Sequence, residues 1–351
     1  MNQINIATTS NRHRPNSQLL VIDTAAPHPI NHVNRQAFVD QFRAGDVIVV
    51  NAAATLPASF SGHHQPSERP IELRLAQSLN PGISRFTHWK GVLFGAGDWH
   101  LKTEDRTDIP DLVVGDRLIF DHQLQAEILH ISAENGRLIE IAFIAEPDKL
   151  LHQLYQAGRL IQYSYHEEAL DLWDGQTIFA STPIALEAPS ASFSITWEMV
   201  LGLQRKGVHV VSLIHAAGIS STGEAELDQL LPLPEYYHIP VDTAAVVNQA
   251  KRDGRRVIAL GTSVTRALES AADDQHHQIE AGNGIATLRL SPDYQRQIVT
   301  GLFTGMHEDG TSHLQLLQAF APWPVIETAY DQAKQRGYLW HEYGDTCLIL
   351  A

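Results

Sequence analysis

One stretch of the chain combines the residue types of a ligand-binding site with the pattern of a strand-to-helix turn. The apolar run 257–260 precedes a glycine, and Thr262 and Ser263 follow it. This order predicts a buried strand, a turn and the start of a helix, with Arg266 and Glu269 on one helix face. A helix N-terminus presents unpaired N–H groups that Thr262 and Ser263 can cap. The corner can therefore hold a carboxylate, a phosphate or a sugar hydroxyl, although an ordinary structural junction has the same pattern.

Two of the 19 histidines occupy positions where an imidazole could act as a general base. His215 follows the apolar run 208–214, and a polar residue at the carboxyl end of a strand in an α/β domain faces the usual ligand crevice. His307 lies in the segment 304–312, which is typical of a surface loop. A neutral imidazole can accept a proton near pH 7. Both residues also fit structural roles, as a strand-end histidine and a loop histidine.

The elements that must position these residues change in character twice along the chain. Residues 1–62 have the pattern of strand, helix and strand. Between 63 and 150, short alternating runs separated by Gly, Pro and Asp predict a small antiparallel sheet or barrel. From 151 to 351, helices and strands alternate again. The sequence therefore predicts the α/β class, with a larger domain built from 1–62 and 151–351 and a small β domain inserted at 63–150.

Composition limits the classes of partner and compartment. The formal net charge of −15 over 351 residues argues against a general polyanion binder, although a local basic patch remains compatible with it. No run of 18 apolar residues predicts a membrane span, and the polar N-terminus has no secretory signal. The single cysteine, Cys347, lies in an apolar run and is expected to be buried. These features predict a cytoplasmic protein.

Seven segments in order along the chain resemble the motifs of the QueA family, the S-adenosylmethionine:tRNA ribosyltransferase-isomerases of queuosine biosynthesis. Residues 261–270 align without a gap with G-T-T-S-V-R-T-L-E-S. The other segments are similar to R-x-x-S-R-L-L-V, G-D-L-L-V-L-N, Q-T-V-Y-A, A-P-T-A, H-x-E-Y-Y and Y-G-D, at 14–21, 45–51, 176–180, 188–191, 235–237 and 343–345. The resemblance implies the same two-domain layout, with a larger α/β domain of barrel type.

The resemblance also implies a reaction and a set of site residues. The family moves the ribosyl part of S-adenosylmethionine onto the 7-aminomethyl-7-deazaguanine base of tRNA and isomerises it, with release of adenine and methionine. His307 falls on the histidine of T-N-F-H-L-P-x-S-T and His215 on that of L-H-V-G, so both are catalytic candidates together with Asp345. The candidates for substrate binding are Ser190, Thr262, Ser263, Arg266, Glu269, Glu235 and Asn51.

The expected ligands follow from the same resemblance. S-adenosylmethionine is a substrate, and the reaction needs no cofactor and no metal. The chain agrees in lacking a Cys–His cluster or an H-E-x-x-H motif of metal-site spacing. The predicted partners are S-adenosylmethionine and tRNA, without a membrane, and the acidic net charge counts against the tRNA.

Several charged residues of the family motifs are missing. The family's N-D-T-R appears as Asn51 followed by three alanines at 52–54, and Ser59 stands at the arginine of P-A-R. Losing charged groups usually removes catalytic or binding contacts. The departures predict weaker tRNA binding than in a member that keeps both arginines. They also leave an alternative, a paralogue with the same fold that binds a nucleoside-type ligand and has lost or changed the activity.

Overall fold

The computed structural model describes residues 4–10, 12, 14, 16–80, 87–273, 275–308 and 311–351. Pro15, Asp309 and Gly310, which belong to two aligned segments, lie outside the described residues. The strands are β1 (Asn5–Ile6), β2 (Gln18–Asp23), β3 (Ile30–Asn34), β4 (Val47–Asn51), β5 (Ala53–Thr55), β6 (Ser59–His64), β7 (Arg69–Ser78), β8 (His88–Phe94), β9 (Arg117–Phe120), β10 (Gln125–Ile131), β11 (Leu138–Phe143), β12 (Thr182–Ala185), β13 (His209–His215), β14 (Glu235–Ile239), β15 (Val257–Leu260), β16 (Gly282–Ala286), β17 (Gly301–Gly305), β18 (Leu339–Trp340) and β19 (Thr346–Leu350). The α-helices are α1 (Pro147–Ala157), α2 (Trp197–Arg205), α3 (Ala225–Asp228), α4 (Val241–Arg252), α5 (Thr262–Ser270), α6 (Ser312–Leu317) and α7 (Trp323–Gln335).

The larger part of the molecule is built on a nine-stranded sheet in the order β16-β14-β13-β4-β15-β17-β19-β2-β3. The central strands β13, β4, β15 and β17 run parallel to one another, and β19 runs antiparallel to β17. All residues of β4 are buried, because helices cover both faces of the sheet. Val47 and Val49 pack toward α4, α5 and α7, whereas Ile48 and Val50 pack toward α2.

The smaller part is a closed antiparallel barrel in the order β10-β11-β8-β7-β6-β9. Alternate residues of β7, such as Ile71, Leu73 and Leu75, belong to its apolar core. Helix α1 packs Leu150 and Leu154 against the same core. Because the barrel is closed, β9 and β10 pair with each other, and among its described residues the barrel has no exposed edge strand.

The predicted α/β class with a small antiparallel β unit is confirmed. The small unit is the closed barrel. The large sheet is open, with β16 and β3 as its edge strands. The barrel strands lie between Ser59 and Phe143, and the domain boundaries at 63 and 150 stay predictions. No helix in the described part of the chain is long and apolar enough to cross a membrane.

The barrel meets the sheet along the outer face of β7. On this face, Ala76 packs with Ile219, which belongs to the loop that follows β13. A methyl group at Gly218 would come within 2.5 Å of the Ala76 carbonyl oxygen. The glycine therefore allows the loop to approach the barrel, and it brings β7 next to the carboxyl end of β13.

Candidate active site

Most of the candidate residues lie at the end of the sheet where the four central strands terminate, whereas Glu269 lies at the opposite end, beside the loop that precedes β17. Asn51 ends β4 and His215 ends β13, while β15 leads through Gly261 into α5. His307 follows β17 by two residues, and Asp345 directly precedes the antiparallel β19. Because the carboxyl ends of parallel strands meet at one edge, the fold gathers residues that are far apart in sequence. We call this end of the sheet the carboxyl edge.

A buried group of three charged or titratable side chains lies at this edge, and we call it the Glu235 cluster: His215, Glu235 and Arg266. Arg266 forms an ion pair with Oε2 of Glu235, and the same oxygen lies 3.3 Å from Nε2 of His215. Oε1 of Glu235 accepts the Gly218 N–H at 2.6 Å. Nδ1 of His215 is buried and has no hydrogen-bond partner among the described residues. The cluster therefore holds an unused polar atom in a nearly dry environment.

Burial determines the charge states in the Glu235 cluster. Burial and the neighbouring Arg266 lower the pKa of His215 to about 3. Burial also lowers the pKa of Arg266 to about 10, which leaves the guanidinium charged at neutral pH. Arg266 further donates to the carbonyl oxygens of Leu288 and Ala286 at 3.0 and 3.2 Å. At pH 7 the cluster is therefore an arginine–carboxylate pair beside a neutral imidazole.

His307 belongs to a second group at the edge, together with His313 at the start of α6. The rings of His307 and His313 stack with centroids 5.2 Å apart and an interplanar angle of 17°. Nε2 of His307 lies 2.7 Å from the hydroxyl oxygen of Thr304, and Trp340 donates to the His307 carbonyl at 3.1 Å. Burial, followed by the neighbouring His313 and His341, holds the pKa of His307 well below its usual range. His307 is therefore neutral at pH 7.

Two tyrosine–carboxylate pairs continue this second group toward the barrel. Tyr165 donates its hydroxyl to Glu342 at 2.6 Å, and Tyr163 donates its hydroxyl to Glu187. The two tyrosine rings are stacked with centroids 5.9 Å apart, and His341 stacks on Tyr165 at 4.1 Å. Burial raises the pKa of both tyrosines and of Glu187. We call these residues and the two stacked histidines the His307 group: Tyr163, Tyr165, Glu187, His307, His313, His341 and Glu342.

His313 connects the His307 group with the Glu235 cluster. The pKa of His313 is lowered overall, because burial and Arg266 lower it by more than Glu342 raises it. Arg266 also acts on His215, so one guanidinium influences histidines of both groups. His215 and His307 both lie at the carboxyl edge, and their convergence on one ligand stays a prediction. The sequence analysis did not select Tyr163, Glu187, His313 or Glu342, because their partners come from distant segments.

The start of α5 differs from the sequence prediction in its cap. The N-cap residue is Gly261, with a φ of 102°, and no side chain caps the helix, so the proposed capping by Thr262 and Ser263 is wrong. A left-handed φ of this size favours glycine and directs the chain sharply from β15 into the helix. Thr262 and Ser263 are half-buried at the carboxyl edge, and substrate binding by them stays a prediction.

Glu269 lies on the same helix as Arg266 but has different partners. Its carboxylate accepts the N–H groups of Gln297, Ile298 and Val299 at 2.7–3.0 Å and the hydroxyl of Tyr294 at 3.2 Å. These contacts tie the loop before β17 to α5. They favour a structural role for Glu269, and its contact with substrate stays a prediction.

Asn51 and Asp345 are also engaged by the backbone. The Asn51 amide donates to the His215 carbonyl at 2.9 Å and accepts the His215 and Ala53 N–H groups at 3.0 Å. Asp345 accepts the N–H groups of Gln18 and Leu339 at 2.8 and 2.9 Å and forms an ion pair with Arg14. Both residues therefore fix strand ends around the site, and catalysis by Asp345 stays a prediction.

Ser190 lies across the carboxyl edge from these strand ends. It lines a small crevice with Arg12, Phe193, Glu342, Tyr343 and Asp345. Arg12 stacks over the Phe193 ring at 4.4 Å, which gives the crevice one cationic wall. Ser190 thus opens onto the same side of the molecule as Glu342 of the His307 group.

Comparison with known proteins identifies the relatives of this chain. A family model described as queuosine biosynthesis protein matches residues 1–349. The S-adenosylmethionine:tRNA ribosyltransferase-isomerase of Carboxydothermus hydrogenoformans is 31% identical over 350 residues, covering 98% of this chain and 96% of that protein. The protein of the same name from Syntrophotalea carbinolica is 34% identical over 318 residues, covering 89% and 86%.

A solved structure supports the fold independently. The S-adenosylmethionine tRNA ribosyltransferase of Thermotoga maritima superposes with a TM-score of 0.52 at 22% identity, covering 98% of this chain and 96% of that one. At this identity the likeness concerns the fold, and it extends over both the sheet and the barrel.

Proposed function

The chain belongs to the queuosine biosynthesis protein family, and on this premise we propose that it transfers and isomerises the ribosyl moiety of S-adenosylmethionine onto 7-aminomethyl-7-deazaguanine in tRNA. The observation that carries the proposal is the family match over residues 1–349. Relatives that bear this activity in their names match over nearly the whole chain. The gathering of motif residues at the carboxyl edge supports the same function.

The proposed chemistry begins with removal of a proton from the carbon beside the sulfonium. His307 suits this role because burial keeps it neutral, and because Thr304 fixes the ring through Nε2. The Tyr165 hydroxyl, held by Glu342, is the proposed donor of a proton to the departing adenine. The His307 group would therefore supply the acid–base work.

The Glu235 cluster would supply orientation and charge. Arg266 is held by Glu235 and two carbonyl oxygens, so its position is fixed before substrate binds. A preorganised charge in a nearly dry site stabilises developing charge more strongly than one in water. The free Nδ1 of His215 offers one further polar contact. We assign to Asn51 and Asp345 the support of these groups, whereas Glu269 holds the loop before β17 against α5.

The reaction needs no cofactor in this proposal, because the sulfonium itself activates the substrate. Its positive charge acidifies the adjacent C–H bonds, and methionine departs as a neutral thioether. S-adenosylmethionine and tRNA are the proposed partners, and a tRNA substrate favours the cytoplasm as the compartment. The paralogue alternative gains no support, since the relatives described above carry this one activity in their names.

Adenine release tests the proposal. The protein is incubated with S-adenosylmethionine and with tRNA that carries the 7-aminomethyl-7-deazaguanine base, and unmodified tRNA serves as the control. We expect adenine and methionine to appear in equal amounts only with the precursor-bearing tRNA. Absence of adenine from a folded protein that binds S-adenosylmethionine would favour the paralogue instead.

A further inference from the structure

The barrel carries a buried charge cluster that the proposed mechanism does not use. Glu72 and Arg74 lie on the outer face of β7 and are 3% and 2% exposed. Nε of Arg74 donates to Oε1 of Glu72 at 2.7 Å, and Arg106 pairs with Oε2. We call these three residues the Glu72 cluster. Two guanidinium groups share one carboxylate there, so the cluster has a net charge of +1.

The positive charge has hydrogen-bond donors to spare. Within the described part of the chain, Arg74 donates only through Nε, and its two terminal nitrogens form no hydrogen bond. Nε of Arg106 is also buried without a partner among the described residues. Buried polar groups are normally hydrogen-bonded, and an unpaired buried charge is costly. These unused donors point to an anion that completes the cluster.

The cluster lies outside the barrel interior. The guanidinium groups of Arg74 and Arg106 lie over the Phe94 ring at 4.9 and 5.5 Å, and Phe94 packs with Ala76 and Ile219 outside the barrel core. The Ala76 carbonyl oxygen approaches the loop whose Gly218 N–H binds Glu235. Arg74 also lies close enough to Tyr163 to lower the pKa of that phenol, against the larger effect of burial and Glu187. The Glu72 cluster therefore lies on the side of the barrel that meets Tyr163 and the loop after β13.

The register of the barrel explains why the arginine stands on this strand. Ser59 and Arg74 are direct partners across β6 and β7, and the Ser59 hydroxyl donates to Glu72 at 2.7 Å. Ser59 is the position where the aligned P-A-R motif has an arginine. Here the guanidinium is supplied instead from the opposite strand, on the same face and on the same carboxylate.

We propose that Arg74 and Arg106, held by Glu72, form an anion-binding site that the barrel contributes to the active site. The ligand is an anionic oxygen group of a substrate, either the carboxylate of S-adenosylmethionine or a phosphate of tRNA. A planar guanidinium with two free parallel donors matches both groups. This inference rests on the proposed function, because that function supplies the two anions.

Binding measurements with Arg74→Gln test the proposal. Dissociation constants are measured for S-adenosylmethionine, for decarboxylated S-adenosylmethionine and for precursor-bearing tRNA at several salt concentrations. We expect the variant to lose about tenfold or more in affinity for one substrate. A loss for S-adenosylmethionine but not for its decarboxylated form identifies the carboxylate. A loss for tRNA, with a salt dependence reduced by about one unit in the log–log slope, identifies a phosphate.

Two further variants keep the result interpretable. Arg117→Gln removes an exposed arginine of the same barrel and should leave the affinity for S-adenosylmethionine unchanged. Arg74→Lys keeps the charge beside Glu72 if Arg74→Gln does not fold, and we expect it to bind about threefold to tenfold more weakly, because the forked donors are lost.

Unchanged affinities in folded Arg74 variants, with a wild type that binds both substrates, would overturn this proposal alone. A wild type that binds neither substrate would overturn the proposed function and this inference with it.

Discussion

The sheet carries an arginine–carboxylate pair with a buried carboxylate at each end, and the two ends differ in what surrounds the pair. At the amino end, Arg256 binds both oxygens of Asp46, which also accepts the Arg43 N–H at 2.8 Å. At the carboxyl edge, Arg266 binds Glu235 beside a histidine with an unpartnered Nδ1. The first pair closes a turn, whereas the second leaves polar atoms available.

This difference shows which charges maintain the fold and which are available to a ligand. The basic residues at 251–256, which form the densest positive run in the sequence, lie at the amino end, with Arg256 committed to Asp46. At the opposite end, Nδ1 of His215 is buried without a hydrogen-bond partner among the described residues. The carboxyl-edge pair is therefore the one beside which a ligand would find an unpartnered polar atom.

The largest effect is expected from the proposed base. His307→Gln keeps a polar side chain of similar length but cannot accept a proton, so adenine release should fall about 10²–10⁴-fold. The control is His209→Gln, since His209 is exposed at the amino end of β13. The control should keep the wild-type rate. Equal rates for both variants would contradict the assignment of the base to the carboxyl edge.

The matched carboxylates test the comparison itself. Glu235→Gln and Asp46→Asn each remove one buried charge from an arginine pair. Each should lower the free energy of unfolding, by about 3 kcal/mol for Glu235 and by less for Asp46, whose partner is partly exposed. Only Glu235→Gln should slow adenine release, by about 10²-fold. Urea unfolding and rates corrected for the folded fraction separate the two effects, and a slow Asp46→Asn enzyme would break the comparison.

The pH dependence of stability tests the buried neutral state of His215 at the carboxyl edge. The pKa of His215 is about 3 in the folded protein and close to 6.5 when exposed, so the unfolded state binds more protons below pH 6.5. Stability should therefore fall as the pH drops from about 6.5 toward 3, by about 1.4 kcal/mol per pH unit from this residue. His215→Gln should show a shallower slope in urea unfolding at several pH values. His209→Gln should keep the wild-type slope, and a His215 variant with that same slope would refute the buried neutral state.

The smallest effect is expected from the residue that orients the base. Thr304→Val preserves the side-chain volume and removes the hydroxyl that lies 2.7 Å from Nε2 of His307. A net hydrogen bond of about 1 kcal/mol corresponds to a roughly fivefold slower adenine release. Thr243→Val is the control, because its buried hydroxyl binds the Ser212 carbonyl in another part of the fold. That variant should lose stability but keep its rate, and a Thr304 variant with unchanged rate would separate Thr304 from the base.

The sequence predicted the elements whose pattern is local. The β15–Gly261–α5 corner and the small antiparallel β unit follow from apolar alternation and turn residues, and the structure confirms them. Helix α1 was not predicted. It packs between the barrel and residues 184–186, so its stability depends on contacts with distant segments. The cap of α5 was assigned wrongly, because the hydroxyls at 262 and 263 suggested capping where the glycine φ decides the turn.

The sequence selected residues of the candidate site, but it did not predict which residues they contact. The resemblance selected His215, Glu235, Arg266 and His307, of which the first three form one buried cluster and all four lie at the carboxyl edge, while their roles stay predictions. It could not show that Glu269 binds the backbone of residues 297–299, nor that Glu342 meets Tyr165. Such contacts depend on loop closures over many residues, for which one sequence carries no periodic signal.

The location of bound substrate tests the central claim most directly. A crystal structure of the protein with S-adenosylmethionine would show which end of the sheet holds the ligand. We predict that its sulfonium lies near His307 at the carboxyl edge, between the His307 group and the Glu235 cluster. Substrate bound at the amino end, near Asp46 and Arg256, or on the barrel away from β7, would contradict the account.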